Sequence, residues 1–252
     1  MLTWICEATD WKTLPGTSAR CGLISLLEGR LEEASIQNDR ALALDRKLYT
    51  ARRNRRILKY LKAHGVRYID YLLRPAPREE LDKLADEEDS RTLQRRAGEL
   101  NEDRLEAFGQ DAIDRGEAWP MANHLSTLQI LFRFLAEVSA DAYFLYEDAE
   151  FMRGIFERLM NKFIVKFRDA DAQVIEGICD ALDSFYEFLV RKKVLSERDL
   201  AAFKKRAGPA RKKLIDRATR YAKARSDTSL GEDEREAFRD ELFDGDHFWP
   251  HI

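Results

Sequence analysis

The chain has 252 residues, of which 44% are apolar and 35% are charged. The charged share is well above the average for globular domains, and the combination is typical of amphipathic helices with charged outer faces. The 43 basic and 46 acidic residues give a formal net charge of −3, so no overall field directs the chain to nucleic acid or to a membrane. No apolar run approaches the roughly 20 residues that a membrane-spanning helix needs.

The cysteines Cys6, Cys21 and Cys179 are widely separated and include no CxxC pair. This spacing indicates neither a zinc ribbon nor a disulfide framework. The N-terminus lacks the basic and apolar stretches of a signal peptide. These features predict a soluble protein of the reducing cytoplasm.

Residues 1–74 are predicted to form a charged helical N-terminal region. Apolar residues recur at three- and four-residue steps, so residues 22–64 predict two helices, and Gly65 closes the second one. Residues 66–72 are rich in β-formers, but a single short strand would have no partner here.

The stretch from Cys21 to Asp45 resembles a tetratricopeptide (TPR) repeat, a helical hairpin of about 34 residues. Small residues of this stretch match the small-residue positions of that family, and a glycine matches its turn: Gly22, Ala34, Ala41 and Gly29. Three polar residues stand where the family usually has aromatic ones: Ser18, Ser25 and Asn38. The stretch from Ala51 to Gly65 matches the first helix of a following repeat. Over residues 21–65 the resemblance implies a protein-binding role, since stacked repeats present a concave groove.

Residues 75–120 are predicted to be a linker followed by charged connecting helices. Pro75-Ala76-Pro77 is the best candidate for the linker, because proline and its preceding residue disfavour helix. The helices that follow carry only thin apolar stripes, such as Leu93, Ala97 and Leu100.

Residues 121–252 are predicted to form an aromatic-rich helical bundle. Three amphipathic stretches, at 128–145, 151–167 and 172–193, carry 9 of the 14 phenylalanines and form its expected centre. The first of them is apolar nearly all round, which favours a core position, with a homodimer interface as the alternative. Its ridge consists of Phe132, Phe134, Tyr143, Phe144 and Tyr146.

Several helix boundaries are predicted from capping patterns. Asp148 can accept hydrogen bonds from the free N–H groups at the start of the stretch that begins at Phe151. Ser196 with Asp199 resembles a capping box, and so does Ser229 with Glu232. Between them, Gly208-Pro209 predicts the end of one helix and the start of another.

The densest basic cluster lies in residues 46–74, which contain ten basic residues and one acidic residue. Its candidate contact residues for nucleic acid or an acidic partner are Arg52, Arg53, Arg55, Arg56, Lys59 and Tyr60. Arginines neutralise phosphates, and tyrosines stack on bases. The alternative is a solvated helix face that pairs with the acidic stretches at 79–89 and 99–103.

A second basic patch runs from Lys204 to Arg225, where ordinary helix-end charge compensation is the favoured interpretation.

No metal, cofactor or catalytic site is predicted. The chain has no GxSxG, phosphate-binding glycine loop, GxGxxG, HExxH or Glu-x-x-His pattern. Cys179 lies on an apolar face and is read as core. The C-terminal Asp244, Asp246, His247 and His251 could chelate a metal weakly, but a tail docked through aromatic residues is favoured.

The sequence therefore predicts an all-α protein, a multi-helix bundle with a helical-hairpin N-terminal region. The leading functional hypothesis is a non-enzymatic interaction or regulatory protein that binds a protein partner. The alternative is a nucleic-acid-binding protein that uses the helix carrying Arg52 to Arg56, and third comes a helical enzyme with a dispersed site.

Overall fold

The computed structural model describes residues 15–139, 143–167 and 170–245, and of residues 118–120 it describes the backbone only. In these residues the chain forms eleven α-helices and no strand, which confirms the predicted all-α class. The chain divides into two units, Met1–Arg74 and Pro75–Ile252. Among the helices so described, none is both long enough and apolar enough to cross a bilayer.

The first unit contains four helices: α1 (Pro15–Leu27), α2 (Leu31–Leu44), α3 (Tyr49–His64) and α4 (Tyr68–Leu72). Helices α1 and α2 form a hairpin, and α3 packs against both. The turn between α1 and α2 contains Gly29 at φ +73°, a left-handed conformation that glycine adopts without strain. Residues 22–64 thus contain parts of three helices where the pattern predicted two. The stretch at 66–72, unassigned from its β-rich sequence, forms the single-turn helix α4.

Small residues and buried amides hold the first unit together. Ala34, Ala41 and Ala51 are fully buried where the helices meet. Asn54 Nδ2 donates to the Ala19 carbonyl and to Asn38 Oδ1, both at 3.0 Å. These bonds connect α3 to α1 and to α2, and they compensate the cost of burying the Asn54 amide nitrogen.

The second unit contains seven helices: α5 (Arg78–Asp86), α6 (Ser90–Asp114), α7 (Ala118–Val138), α8 (Ala149–Lys166), α9 (Ala172–Arg191), α10 (Glu197–Ser226) and α11 (Glu232–Phe243). Helix α9 packs between α7 and α10, and α10 also packs on α8. Helix α6 packs against α5 and α7. The stretches at 75–120 and 121–252, predicted as separate regions, therefore lie in one unit.

An aromatic core fills this unit. The ring of Phe108 on α6 lies 5.6 Å from that of Phe185 and 5.4 Å from that of Phe188, both on α9. Phe132 and Phe134 of the ridge are buried by the chain's own helices. The ridge is therefore core at these two positions.

The helix predicted over 128–145 is shorter than its apolar pattern. Helix α7 ends at Val138, and residues 143–145 are not helical. The side chain of Asn101 explains the difference, because it donates to the Phe144 carbonyl at 2.9 Å and accepts from the Tyr146 N–H at 2.8 Å. These bonds replace helical ones and hold the segment against α6.

Two of the predicted helix boundaries hold and two are wrong. Asp148 and Ser196 cap α8 and α10 through their side chains, as expected. Helix α10, however, continues through Pro209 as one helix of 30 residues. Proline removes one hydrogen bond, but Phe203 and Leu214 are buried on either side of it, so packing maintains the helix.

The last helix begins two residues later than the capping pattern suggested. Its N-cap is Gly231, whose N–H donates to Glu234 Oε2 at 2.8 Å. Ser229 is unavailable for capping because its backbone N–H and hydroxyl both donate to Asp227 Oδ1.

Candidate cationic groove between helices α2 and α3

A groove of about 780 Å³ runs between α2 and α3 in the first unit. Its lining consists of Asp39, Leu42, Ala43, Arg46, Arg52, Arg55, Arg56 and Lys59. The α3 members are spaced i, i+3, i+4 and i+7, which places them on one helical face. The buried contacts of Asn54 fix α3 against α1 and α2, so this face stands opposite the α2 residues.

The groove is strongly cationic. Five of its eight lining residues are basic, and Asp39 is the one acid among them. Arg55 Nη2 lies 3.2 Å from Asp39 Oδ1, and both side chains are more than half exposed. An exposed pair of this kind contributes little to stability and exchanges readily with solvent or a ligand.

Three of the groove cations have no ion-pair partner among the residues that the structure describes: Arg46, Arg52 and Lys59. Like charges at helical spacings i and i+4 repel one another. An anion in the groove would relieve this repulsion, and arginine can bind a carboxylate or phosphate through two parallel hydrogen bonds.

Four of the six residues predicted as a contact site line the groove, and two do not. Arg53 is half-buried and engaged in another interaction. The ring of Tyr60 lies 4.2 Å from that of His64 and 5.1 Å from that of Tyr71. Tyr60 therefore packs within its own unit and is not presented to the groove for stacking on a base.

The acidic stretches that were considered as partners of this basic face have neighbours of their own. Arg96 lies 3.4 Å from Glu80, and Arg95 lies 3.3 Å from Glu99. Lys83 lies 3.6 Å from Glu87. Each of these pairs is formed inside the second unit.

Four cations of the second basic patch pair with acids on neighbouring helices. Lys204 pairs with Glu187 and Arg211 with Asp180, which connects α10 to α9. Lys213 and Arg217 both pair with Glu157 of α8. The pKa of Glu157 is lowered below its usual value, mainly by the hydrogen bond from Lys213 and further by the charges of the nearby cations. These four cations fasten α10 to α8 and α9.

No cluster of three or more metal-ligating side chains occurs in residues 15–139, 143–167 and 170–245. Asp246, His247 and His251 of the C-terminal tail lie outside the described residues, as does Cys6. Cys179 is a free, buried thiol whose pKa is raised to about 11 by burial, so it is poorly suited to act as a nucleophile. Cys21 is disulfide-bonded, although the spacing of the cysteines did not indicate a disulfide framework.

The groove residues that lie on α2 were not among the contact residues predicted from the sequence. Asp39, Leu42 and Ala43 carry a usable signal, since their spacing of i, i+3 and i+4 defines one face of α2. Which helix faces α3 depends on tertiary packing, which the pattern of α2 alone does not contain.

Comparison of the chain with models of protein families, with curated proteins and with solved structures finds no match.

Proposed function

We propose that this chain is a non-enzymatic helical interaction protein that binds an acidic segment of a protein partner in the groove between α2 and α3. The observation that supports this most strongly is the gathering of five cationic side chains around one open groove. Because such clusters concentrate anions and arginines bind carboxylates with two hydrogen bonds, the groove suits an acidic ligand.

The apolar surface around the groove favours a polypeptide. Leu42 and Ala43 are part of the lining, and Ile36, three residues before Asp39 on α2, is 66% exposed. A peptide offers apolar side chains to such positions, whereas a phosphate backbone does not. The TPR resemblance of residues 21–65, a protein-binding family, supports the same choice.

The test uses a fluorescent glutamate-rich peptide containing one leucine, titrated with the full chain and followed by anisotropy. The variant Arg52→Glu/Arg56→Glu should weaken binding at least tenfold, since it reverses two groove charges. The matched control is Lys205→Glu/Lys212→Glu, which makes the same charge change on exposed positions of α10 and should change affinity less than threefold. Equal losses in both variants would contradict a specific groove and leave only a net-charge effect.

Nucleic acid is the competing occupant, and the same titration includes a single-stranded oligonucleotide. The proposal expects the peptide to bind more tightly than the oligonucleotide at about 150 mM salt, where phosphate contacts are already weakened. Tighter binding of the oligonucleotide, lost in Arg52→Glu/Arg56→Glu, would instead assign the groove to nucleic acid.

We also propose a cytoplasmic location, on the grounds of the composition and the scattered cysteines. The disulfide at Cys21 is unusual for a reducing compartment. Thiol alkylation in denaturant immediately after cell lysis tests the location, because a cytoplasmic protein should have Cys21 reduced. The denaturant is needed because Cys21 is buried in the folded chain.

A further inference from the structure

Helix α5 presents an acidic face that is unused by the core of its own unit. Leu81 is fully buried, while the positions on the opposite side are exposed. These exposed positions are Glu79, Asp82, Lys83 and Asp86. The face therefore carries three acids and one base.

The spacing of this acidic face equals that of the cationic face of α3. Residues 79, 82, 83 and 86 stand at i, i+3, i+4 and i+7, as do 52, 55, 56 and 59. Both faces therefore extend about 10 Å along their helices, at about 1.5 Å per residue. The three acids of α5 can thus meet cations of α3 at three of the four steps.

Each surface also carries, near its middle, one residue whose charge is opposite to that of the others. Lys83 interrupts the acids of α5, and Asp39 interrupts the cations of the groove. Pairing Lys83 with Asp39 would fix the register of the contact between the two surfaces. A contact shifted along the helices would bring like charges together.

The charges on the α5 face are available for a contact. Glu79 and Asp86 have no ion-pair partner among the described residues. Lys83 makes only an exposed, long contact of 3.6 Å with Glu87. Asp82 accepts a hydrogen bond from the Tyr143 hydroxyl at 2.5 Å, which leaves its second oxygen for another donor.

We infer that the cationic groove of one copy of this chain receives the acidic face of α5, Glu79 to Asp86, of a second copy. This inference rests on the proposed function, since it names the acidic partner of the same groove. The contact is head to tail because the two surfaces differ. One helix in one groove buries less than a standard interface of about 1,600 Å², so the association is weak and depends on salt.

Sedimentation velocity of the full chain over a range of concentrations tests the inference at about 50 mM and about 500 mM salt. Self-association should appear at low salt and weaken at least tenfold at high salt. Arg52→Glu/Arg56→Glu and Glu79→Lys/Asp86→Lys should each abolish it, and Lys205→Glu/Lys212→Glu should retain it. The variant with all four reversals at the groove and α5 should associate again, since complementary charges are restored with exchanged signs.

A chain that stays monomeric at every concentration overturns the inference, and so does association that the charge reversals leave unchanged or that the fourfold variant does not regain. Circular dichroism confirms that each variant retains its helix content. The glutamate-rich peptide distinguishes the two proposals: peptide binding by a monomeric chain leaves the proposed function intact while removing self-association. Where both hold, added peptide should dissociate the oligomer.

Discussion

Gly22 and Asn38 set the distance between the first two helices. A Cβ atom on Gly22 would lie 2.7 Å from Asn38 Nδ2 and 2.9 Å from Asn38 Cγ. The amide cannot move away cheaply, because Nδ2 donates to the Ala34 carbonyl at 2.7 Å and Oδ1 accepts from Asn54. The close approach of α1 and α2 therefore depends on a missing methyl group.

Replacing Gly22 with alanine should destabilise the chain by about 1–2 kcal/mol, because overpacking outweighs the helix propensity that alanine adds. Urea unfolding followed by circular dichroism measures the change. Gly16→Ala in the same helix is the control, since no atom lies within 4 Å of its Cβ position, and it should be neutral or slightly stabilising. A Gly22→Ala chain as stable as the control would contradict the close packing.

Tyr186 on α9 is fully buried, and its hydroxyl has no hydrogen-bond partner in the described part of the chain. Burial raises the pKa of this phenol. Tyr186→Phe should therefore leave stability unchanged or raise it by up to about 1 kcal/mol, since it removes an unsatisfied polar group. Tyr143→Phe, which loses the hydrogen bond to Asp82, should cost about 1 kcal/mol. Thermal unfolding compares the two, and a larger loss in Tyr186→Phe would indicate a missing partner.

At the scale of elements, one carboxylate connects α6 to the end of α9. The Asp111 side chain is 6% exposed and lies 3.0 Å from Arg115 and Arg191 and 2.7 Å from Lys192. Burial alone would raise the pKa of Asp111, but the hydrogen bonds and charges of these cations outweigh it and hold the pKa below its usual value.

Asp111→Asn should destabilise the chain by about 1–3 kcal/mol at neutral pH, since it leaves three partly exposed cations without their carboxylate. A depressed pKa contributes stability above the unfolded value near 3.8 and loses it as the pH falls through the folded value. The difference between wild type and variant, measured by urea unfolding, should shrink between pH 5 and pH 3. Asp114→Asn, exposed on the same helix, should change stability by less than about 0.5 kcal/mol. A difference independent of pH would contradict the role of the charge.

Elements governed by local periodicity follow from the sequence, and those governed by tertiary contacts do not. The sequence predicts the apolar faces of α8 and α9 and the caps at Asp148 and Ser196. Each of these features depends on residues within one or two helical turns. The continuation of α10 through Pro209 and the end of α7 depend on distant partners, packing in one case and Asn101 in the other. The same distinction applies to the candidate site. The arginines of α3 could be predicted from the sequence, whereas the α2 side of the groove could be identified only from the tertiary structure.

At the scale of the whole molecule, the chain combines a small unit with an open cationic groove and a larger unit whose aromatic core is buried. Four of the eleven basic residues of α10 pair with acids of α8 and α9: Lys204, Arg211, Lys213 and Arg217. In the groove, three of the five cations lack an ion-pair partner among the described residues. Binding of an acidic ligand should therefore concentrate at the first unit, although both units carry many basic residues.

Photo-crosslinking locates the bound acidic ligand on the chain. A glutamate-rich peptide with a photoreactive group at one end is bound to the full chain, irradiated, and its attachment sites are mapped by mass spectrometry. We expect crosslinks within residues 36–59 that disappear in Arg52→Glu/Arg56→Glu and persist in Lys205→Glu/Lys212→Glu. Crosslinks that fall mainly on residues 204–225 of α10, or that are unchanged in the groove variant, would contradict it.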